Sequence, residues 1–284
     1  PSSACSHFQE RKQIAISIDD APVVSFHSYP SQFERRAVVD SITTALELHK
    51  APATIFVVGN QADEPDEVEL FRHWLTTGVS VGNHSLTHRS FDELTPEEGR
   101  LEIDETNRLI QSVTGDERRP VRYFRFPYLA EGETIDDKSL WEEQLSSRGL
   151  RNARVTISNN DWKFDSEYAQ AELDGDWERR YEIGQAYLQH MRESVVYWDS
   201  LAQALTGRNV KHVLLIHANR INRDYLGSIL QELSSDGYEF ISLEEAYSDP
   251  IYSSDDEWAS ANGTSFLENV KQTQIQRSKL ASAP

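Results

Sequence analysis

The strongest constraint on this chain is a rhythm. Short apolar, β-branched runs alternate with longer stretches whose apolar residues recur every three or four positions. Seven runs read as strands: residues 13–19 (QIAISID), 54–59 (TIFVVG), 79–84 (VSVGNH), 123–127 (YFRFP), 153–158 (ARVTIS), 212–217 (HVLLIH) and 239–243 (EFISL). Runs such as TIFVV and VLLI do not alternate polar with apolar, as expected of strands buried on both faces. Between them the periodicity predicts helices over 33–50, 95–115 and 222–237. The second of these opens on Thr95 with Glu98 three residues on, a capping pair, and closes on Gly115. Such alternation makes a parallel α/β fold, either open sheet or barrel. About seven parallel strands favour a distorted or incomplete (β/α) barrel.

The rhythm breaks at 163–209, which reads as a polar loop followed by one long helix over 177–207, an elaborated crossover between two strands. The organisation expected is an N-terminal arm (1–12), one domain (13–249) carrying the helical insertion 163–209, and a polar C-terminal tail (250–284).

Composition narrows the partners. The formal net charge of −19 repels phosphate backbones, so nucleic acid is not expected as a ligand, whereas a neutral or cationic one is compatible. No apolar run approaches the roughly 20 residues of a membrane span, so no transmembrane segment is expected. Cys5 is the single cysteine, which rules out a disulfide within the chain and leaves the compartment open. Residues 2–5 (SSAC) have two readings: the end of a lipoprotein signal with Cys5 as a lipid anchor, or a solvated arm.

In parallel α/β folds, sites gather at the C-terminal ends of strands. Here the first strand ends in Asp19-Asp20, the third in His84, and the fourth carries Arg125 before Pro127-Tyr128. The fifth runs into residues 158–162 (SNNDW), and the sixth ends in His217. His84 and His88 stand four apart, a spacing that suits a divalent ion when a carboxylate joins them, though two loop histidines are often incidental. Asp19-Asp20 supplies that carboxylate; its other reading is a turn. Two adjacent acids at a buried strand end repel each other, and a cation would offset this. One aspartate would ligate while its neighbour takes a proton from water. Arg125 is either the partner of that base or a structural salt bridge. His217 is either an acid for a leaving group or a strand-end cap.

These residues, in this order, are similar to the polysaccharide deacetylases (carbohydrate esterase family 4, the NodB-homology enzymes), over about residues 13–249. SIDD (17–20) resembles the family's Thr-Phe-Asp-Asp, HSLTH (84–88) its His-Ser/Thr-x-x-His, RFPY (125–128) its third motif and LLIH (214–217) its fifth. The resemblance implies Asp19 as general base and Asp20, His84 and His88 as ligands of Zn²⁺ or another divalent transition metal. It implies Arg125 orienting the base, the Tyr128 N–H binding the oxyanion, His217 as general acid, and Leu215, Trp162 and Asp161 at the substrate. The fourth motif departs: where the family has Asp-x-x-Asp-Trp, this chain has Ser158 first, with Asp161 and Trp162 matching the rest. The first aspartate of the family pairs with the acid histidine. Here the acid is either less tuned, served by Asp161 or another carboxylate, or part of an altered copy with lowered turnover.

The activity implied is metal-dependent removal of acetyl groups from N-acetylated amino-sugar glycans, such as chitin oligomers or peptidoglycan, in the periplasm or outside the cell. The alternatives are O-deacetylation of xylan, cyclic-imide or amide hydrolysis, and a weakly active carbohydrate-binding relative. His27 and Tyr29 follow the aspartate pair, placed either at the cleft or on the surface.

Overall fold

The computed structural model describes residues 11–24, 31–115, 121–260 and 263–282; Cys5, His27 and Tyr29 lie outside these. Strands and helices alternate as β1 (Lys12–Ala21), α1 (Gln32–Leu48), β2 (Ala53–Val57), α2 (Pro65–Thr76), β3 (Ser80–Asn83) and α3 (Pro96–Thr114). They continue as β4 (Tyr123–Phe124), α4 (Ile135–Ser146), β5 (Arg151–Asn152), α5 (Asp161–Asp174) and α6 (Trp177–Thr206). The chain then runs through β6 (Lys211–His217), α7 (Arg220–Ser235), β7 (Tyr238–Ile241), α8 (Leu243–Ala246) and α9 (Phe266–Ala281). No described helix is long and apolar enough to cross a membrane.

The seven strands form one parallel sheet in the order β5-β4-β3-β2-β1-β6, with β7 also on β1. One edge of β1 is shared: Lys12–Ala15 pair with β7, and Ile16–Ala21 pair with β2. The sheet therefore splits at β1, and the barrel is distorted as the strand count predicts. Residues 14–19 are buried throughout, consistent with a strand covered on both faces. The helices follow their sequence signals. Ser31 with Glu34 and Thr95 with Glu98 form reciprocal caps, and Gly115 ends α3 at φ 62°. α1 turns Val38, Val39, Ile42 and Leu46 inward, and α7 does the same with Leu226, Ile229, Leu230 and Leu233.

Three expectations need correction. Residues 153–158 are not a regular strand: the ladder to β4 ends at Asn152, and only Ile157 bridges to Leu214. This stretch passes from one neighbour to another. The Ala153 N–H donates to Phe124 O (2.7 Å), and four residues on the Ile157 N–H donates to Val213 O (3.0 Å). The polar loop expected at the start of the insertion is α5, which buries Tyr168 and Ala171. The polar tail holds α9, whose Phe266, Leu267 and Val270 join a core cluster with Val213, Tyr247 and Tyr252.

Candidate active site

The ends of β1, β3, β4 and β6 converge. The register sets Asp19 directly beside His217 and Asn83 beside Phe124. Asp20 follows in the left-handed region at φ 59°, unusual for a non-glycine residue, and His88 (φ 57°) and Tyr128 (φ 58°) share that conformation. Strained backbone at three points of one mouth marks a site that its surroundings hold in place.

Asp20, His84 and His88 each offer one ligand atom, and all three atoms lie within 4.8 Å of one another. Asp20 Oδ1 is 3.1 Å from His88 Nε2 and 3.5 Å from His84 Nε2. It is buried, and these two imidazoles are its only polar partners among the described residues. A buried carboxylate oxygen facing two imidazole nitrogens fits a divalent metal, and three protein donors leave coordination positions open. His84 is prepared for this. Its Nδ1 lies 2.8 Å from the Arg125 carbonyl oxygen, an acceptor only, so Nδ1 carries the proton and Nε2 presents its lone pair. Burial, with His88 adding to it, lowers the His84 pKa to about 4 against the pull of Asp19 and Asp20, which keeps the ring neutral. For Asp20, burial acts upward, but His88, then His217 and His84, outweigh it and hold the carboxyl well below the usual carboxylate range. For His88, burial acts downward, and the neighbouring Asp20 outweighs it and raises the pKa.

Asp19 is fully buried, and Arg125 Nη1 donates to both its oxygens at 2.9 and 3.0 Å. Arg125 is itself held: Nη2 donates to Ser17 Oγ, Nε to Ala153 O, and the guanidinium stacks 4.4 Å over Phe56. Phe56 in turn lies against Gly82, where a Cβ would stand 2.4 Å from the ring. On the other side, Asp161 Oδ1 is 2.7 Å from His217 Nδ1, and Asp161 Oδ2 accepts the His217 backbone N–H at 2.8 Å. Burial acts to lower the His217 pKa, but Asp161, with Asp20 and Asp19 further off, carries it up to about 10.

Ser158 stands apart from this pair. Its carbonyl accepts from Trp198 Nε1 (2.8 Å), and it lines a cavity of about 330 Å³ with Asn160, His190, Tyr197 and Trp198. The carboxylate paired with His217 is thus that of Asp161. Leu215 is buried in β6, with its N–H on Ile157 O. Trp162 is 55% exposed on the first turn of α5, so it is not a core residue. Tyr128 is exposed, and its ring packs edge-on to His88 at 4.7 Å.

The chain matches the family model described as polysaccharide deacetylase over residues 8–144. Residues 8–144 are thus identified as a polysaccharide deacetylase region. A peptidoglycan-N-acetylglucosamine deacetylase of Listeria monocytogenes is 23% identical over 245 residues, 84% of this chain and 40% of that protein. The chain spans less than half the length of the curated relatives it matches. Among solved structures, a CE4 family pseudoenzyme of Bacillus anthracis is similar with a TM-score of 0.59 at 18% identity, covering 84% of this chain and 66% of that one. The peptidoglycan deacetylase PdaC of Bacillus subtilis follows, with a TM-score of 0.54 at 19% identity, covering 96% and 98%. At these identities the structural likeness speaks for the fold.

Several supporting residues escaped the sequence reading. Glu102 of α3 accepts the N–H groups of Leu86 and Thr87 (2.8 and 2.7 Å) and the Thr87 hydroxyl, clamping the turn between His84 and His88. Asn83 Oδ1 accepts the Ser85 N–H (2.8 Å), and Asn222 Nδ2 donates to Asp161 Oδ2 (2.8 Å). Glu102 left one sequence signal, a carboxylate flanked by Gly99, Ile103 and Thr106 on the inward face of α3.

Proposed function

We propose that this chain is a metal-dependent deacetylase of N-acetylated amino-sugar glycans, working in the periplasm or outside the cell. The observation that carries the reading is the buried Asp20 Oδ1 facing the His84 and His88 imidazoles, with an Asp19–Arg125 pair on one flank and an Asp161–His217 pair on the other. Asp20, His84 and His88 would hold Zn²⁺ or a similar ion. When bound, such an ion acidifies water and polarises a carbonyl.

The protein's own groups do the rest. Asp19, aimed by Arg125, accepts the proton of the attacking water. The Tyr128 N–H receives the developing oxyanion. His217, protonated at neutral pH through Asp161, gives its proton to the departing nitrogen. That proton favours an amide over an ester substrate, because an amine leaves poorly unless protonated, whereas the alcohol of an O-acetyl ester needs less help. Leu215 and Trp162 are assigned to the acetyl and sugar surroundings. The relatives' names support a peptidoglycan or related glycan as substrate. The Asp161–His217 contact supports an enzyme over a mere binding relative, the reading that drew on Ser158.

Metal content and acetate release from N-acetylglucosamine oligomers test the proposal together. About one divalent ion per chain is expected, with acetate released and activity lost on chelation and restored by zinc. Metal without acetate from any sugar would move the reading to imide hydrolysis or binding. Absence of metal binding would defeat it.

A further inference from the structure

The segment after β7, left unassigned by composition, lies across the third motif. A methyl placed on Gly263 would stand 1.9 Å from the Tyr128 carbonyl oxygen and 2.6 Å from that of Leu129. Close approach therefore requires the glycine here. Beneath it, Tyr128 and Leu129 are consecutive non-glycine residues at φ 58° and 57°. Such a pair persists only where its surroundings over-determine it.

The overlying segment is tied down on both sides of Gly263. Upstream, the buried Asp256 carboxylate pairs with Lys138 Nζ (2.6 Å) and Arg154 (3.3 Å), and Lys138 also donates to Trp258 O (3.2 Å). Lys138 further pairs with Glu131 (3.1 Å), three residues beyond Tyr128. Downstream, the Ser265 hydroxyl donates to Thr156 O (2.9 Å) and the Phe266 N–H to Val155 O (2.7 Å). A charge pair removed from water is costly to break once formed, which makes Lys138–Asp256 a firm anchor.

We infer that residues 256–260 and 263–265 form a strap that holds the Tyr128–Leu129 turn in its left-handed conformation, with Gly263 as its positioning residue. The strap thereby sets the Tyr128 N–H and, through the ring contact of Tyr128, steadies His88. The catalytic part of this inference rests on the deacetylase reading; the mechanical part does not.

Gly263→Ala tests both parts. Backbone amides of 128–130 should exchange with solvent about tenfold faster. The kcat on an N-acetylglucosamine tetramer should fall about tenfold or more, with KM little changed. Adding Leu129→Gly, which adopts the left-handed conformation without support, should recover part of the kcat loss, whereas a general loss of stability would not be recovered this way. Should Gly263→Ala not fold, Asp256→Asn loosens the anchor and leaves the glycine, with the same exchange and kcat changes expected. Unchanged exchange in the variant measured overturns the strap. Faster exchange with kcat intact overturns its catalytic role. A wild-type chain that releases no acetate defeats the deacetylase reading alone, because exchange still decides the strap.

Discussion

At residue scale the decisive pair is Asp161 with His217. The imidazole is raised to about 10 by a fully buried carboxylate that meets both its ring and its backbone N–H. A folded pKa above the unfolded value of about 6.5 means that the pairing stabilises the fold fully below that value and is lost as pH climbs through about 10. Asp161→Asn should therefore move the alkaline limb of kcat to lower pH by about one unit or more and flatten stability across the same window. Pre-steady-state or kcat profiles with thermal melts at each pH check this; an unmoved limb would show that His217 is not the acid. Ser158→Asp should leave the profile where it is, since its carbonyl faces Trp198 and its place beside His217 is taken. A gain in rate with a shifted limb would reverse that assignment. The serine looked like a defect because a linear motif fixes spacing along the chain, whereas hydrogen bonding depends on which carboxylate the loop turns inward. Asp20 and His84 were legible for the opposite reason: each sits at a strand end, where the fold itself supplies the direction, and His88 was legible by its spacing of four from His84.

The element that shapes the loop carrying His84 and His88 is α3. Glu102 reaches from its buried face to two consecutive amides and a hydroxyl of the turn that carries His88, while Asn83 caps Ser85 from within. Neither touches the candidate donor atoms, but both fix the turn from which the two imidazoles project. Partners of this kind are worth about 10–100-fold in metal affinity. Glu102→Ala should weaken zinc binding by about that factor, while excess zinc restores most of kcat; competition against a chromophoric chelator measures it, and unchanged affinity would reduce Glu102 to a helix anchor. Periodicity located α3 and its Thr95 cap but did not reveal Glu102's task, because one carboxylate on an apolar face carries no address. Residues 153–158 failed as a strand for a related reason. Their β-branched alternation is real, but they pass from Phe124 to Val213 and pair fully with neither.

At the scale of the molecule, the C-terminal region belongs to the structure that makes the site. Composition suggested a tail because 250–284 is rich in polar and charged residues, yet only a few apolar side chains at helical spacing are needed to seat a helix. Phe266, Leu267 and Val270 of α9 are at most 2% exposed and share a cluster with Val213 of β6, the strand that ends in His217. Burying each such side chain contributes about 1.5–3 kcal/mol, so the three together are comparable to the 5–15 kcal/mol that stabilises a typical domain. The hydrogen bonds of Ser265 and Phe266 to residues 155–156 tie the same helix to the loop that delivers Asp161. Ending the chain after Tyr247 should therefore give protein that is largely insoluble or melts far below the full chain, without cooperative unfolding. Thermal denaturation followed by circular dichroism, beside acetate release, checks this. A shortened chain that melts like the full one would make α9 an appendage and would also withdraw the support the strap needs, since its downstream tie is the first turn of that helix.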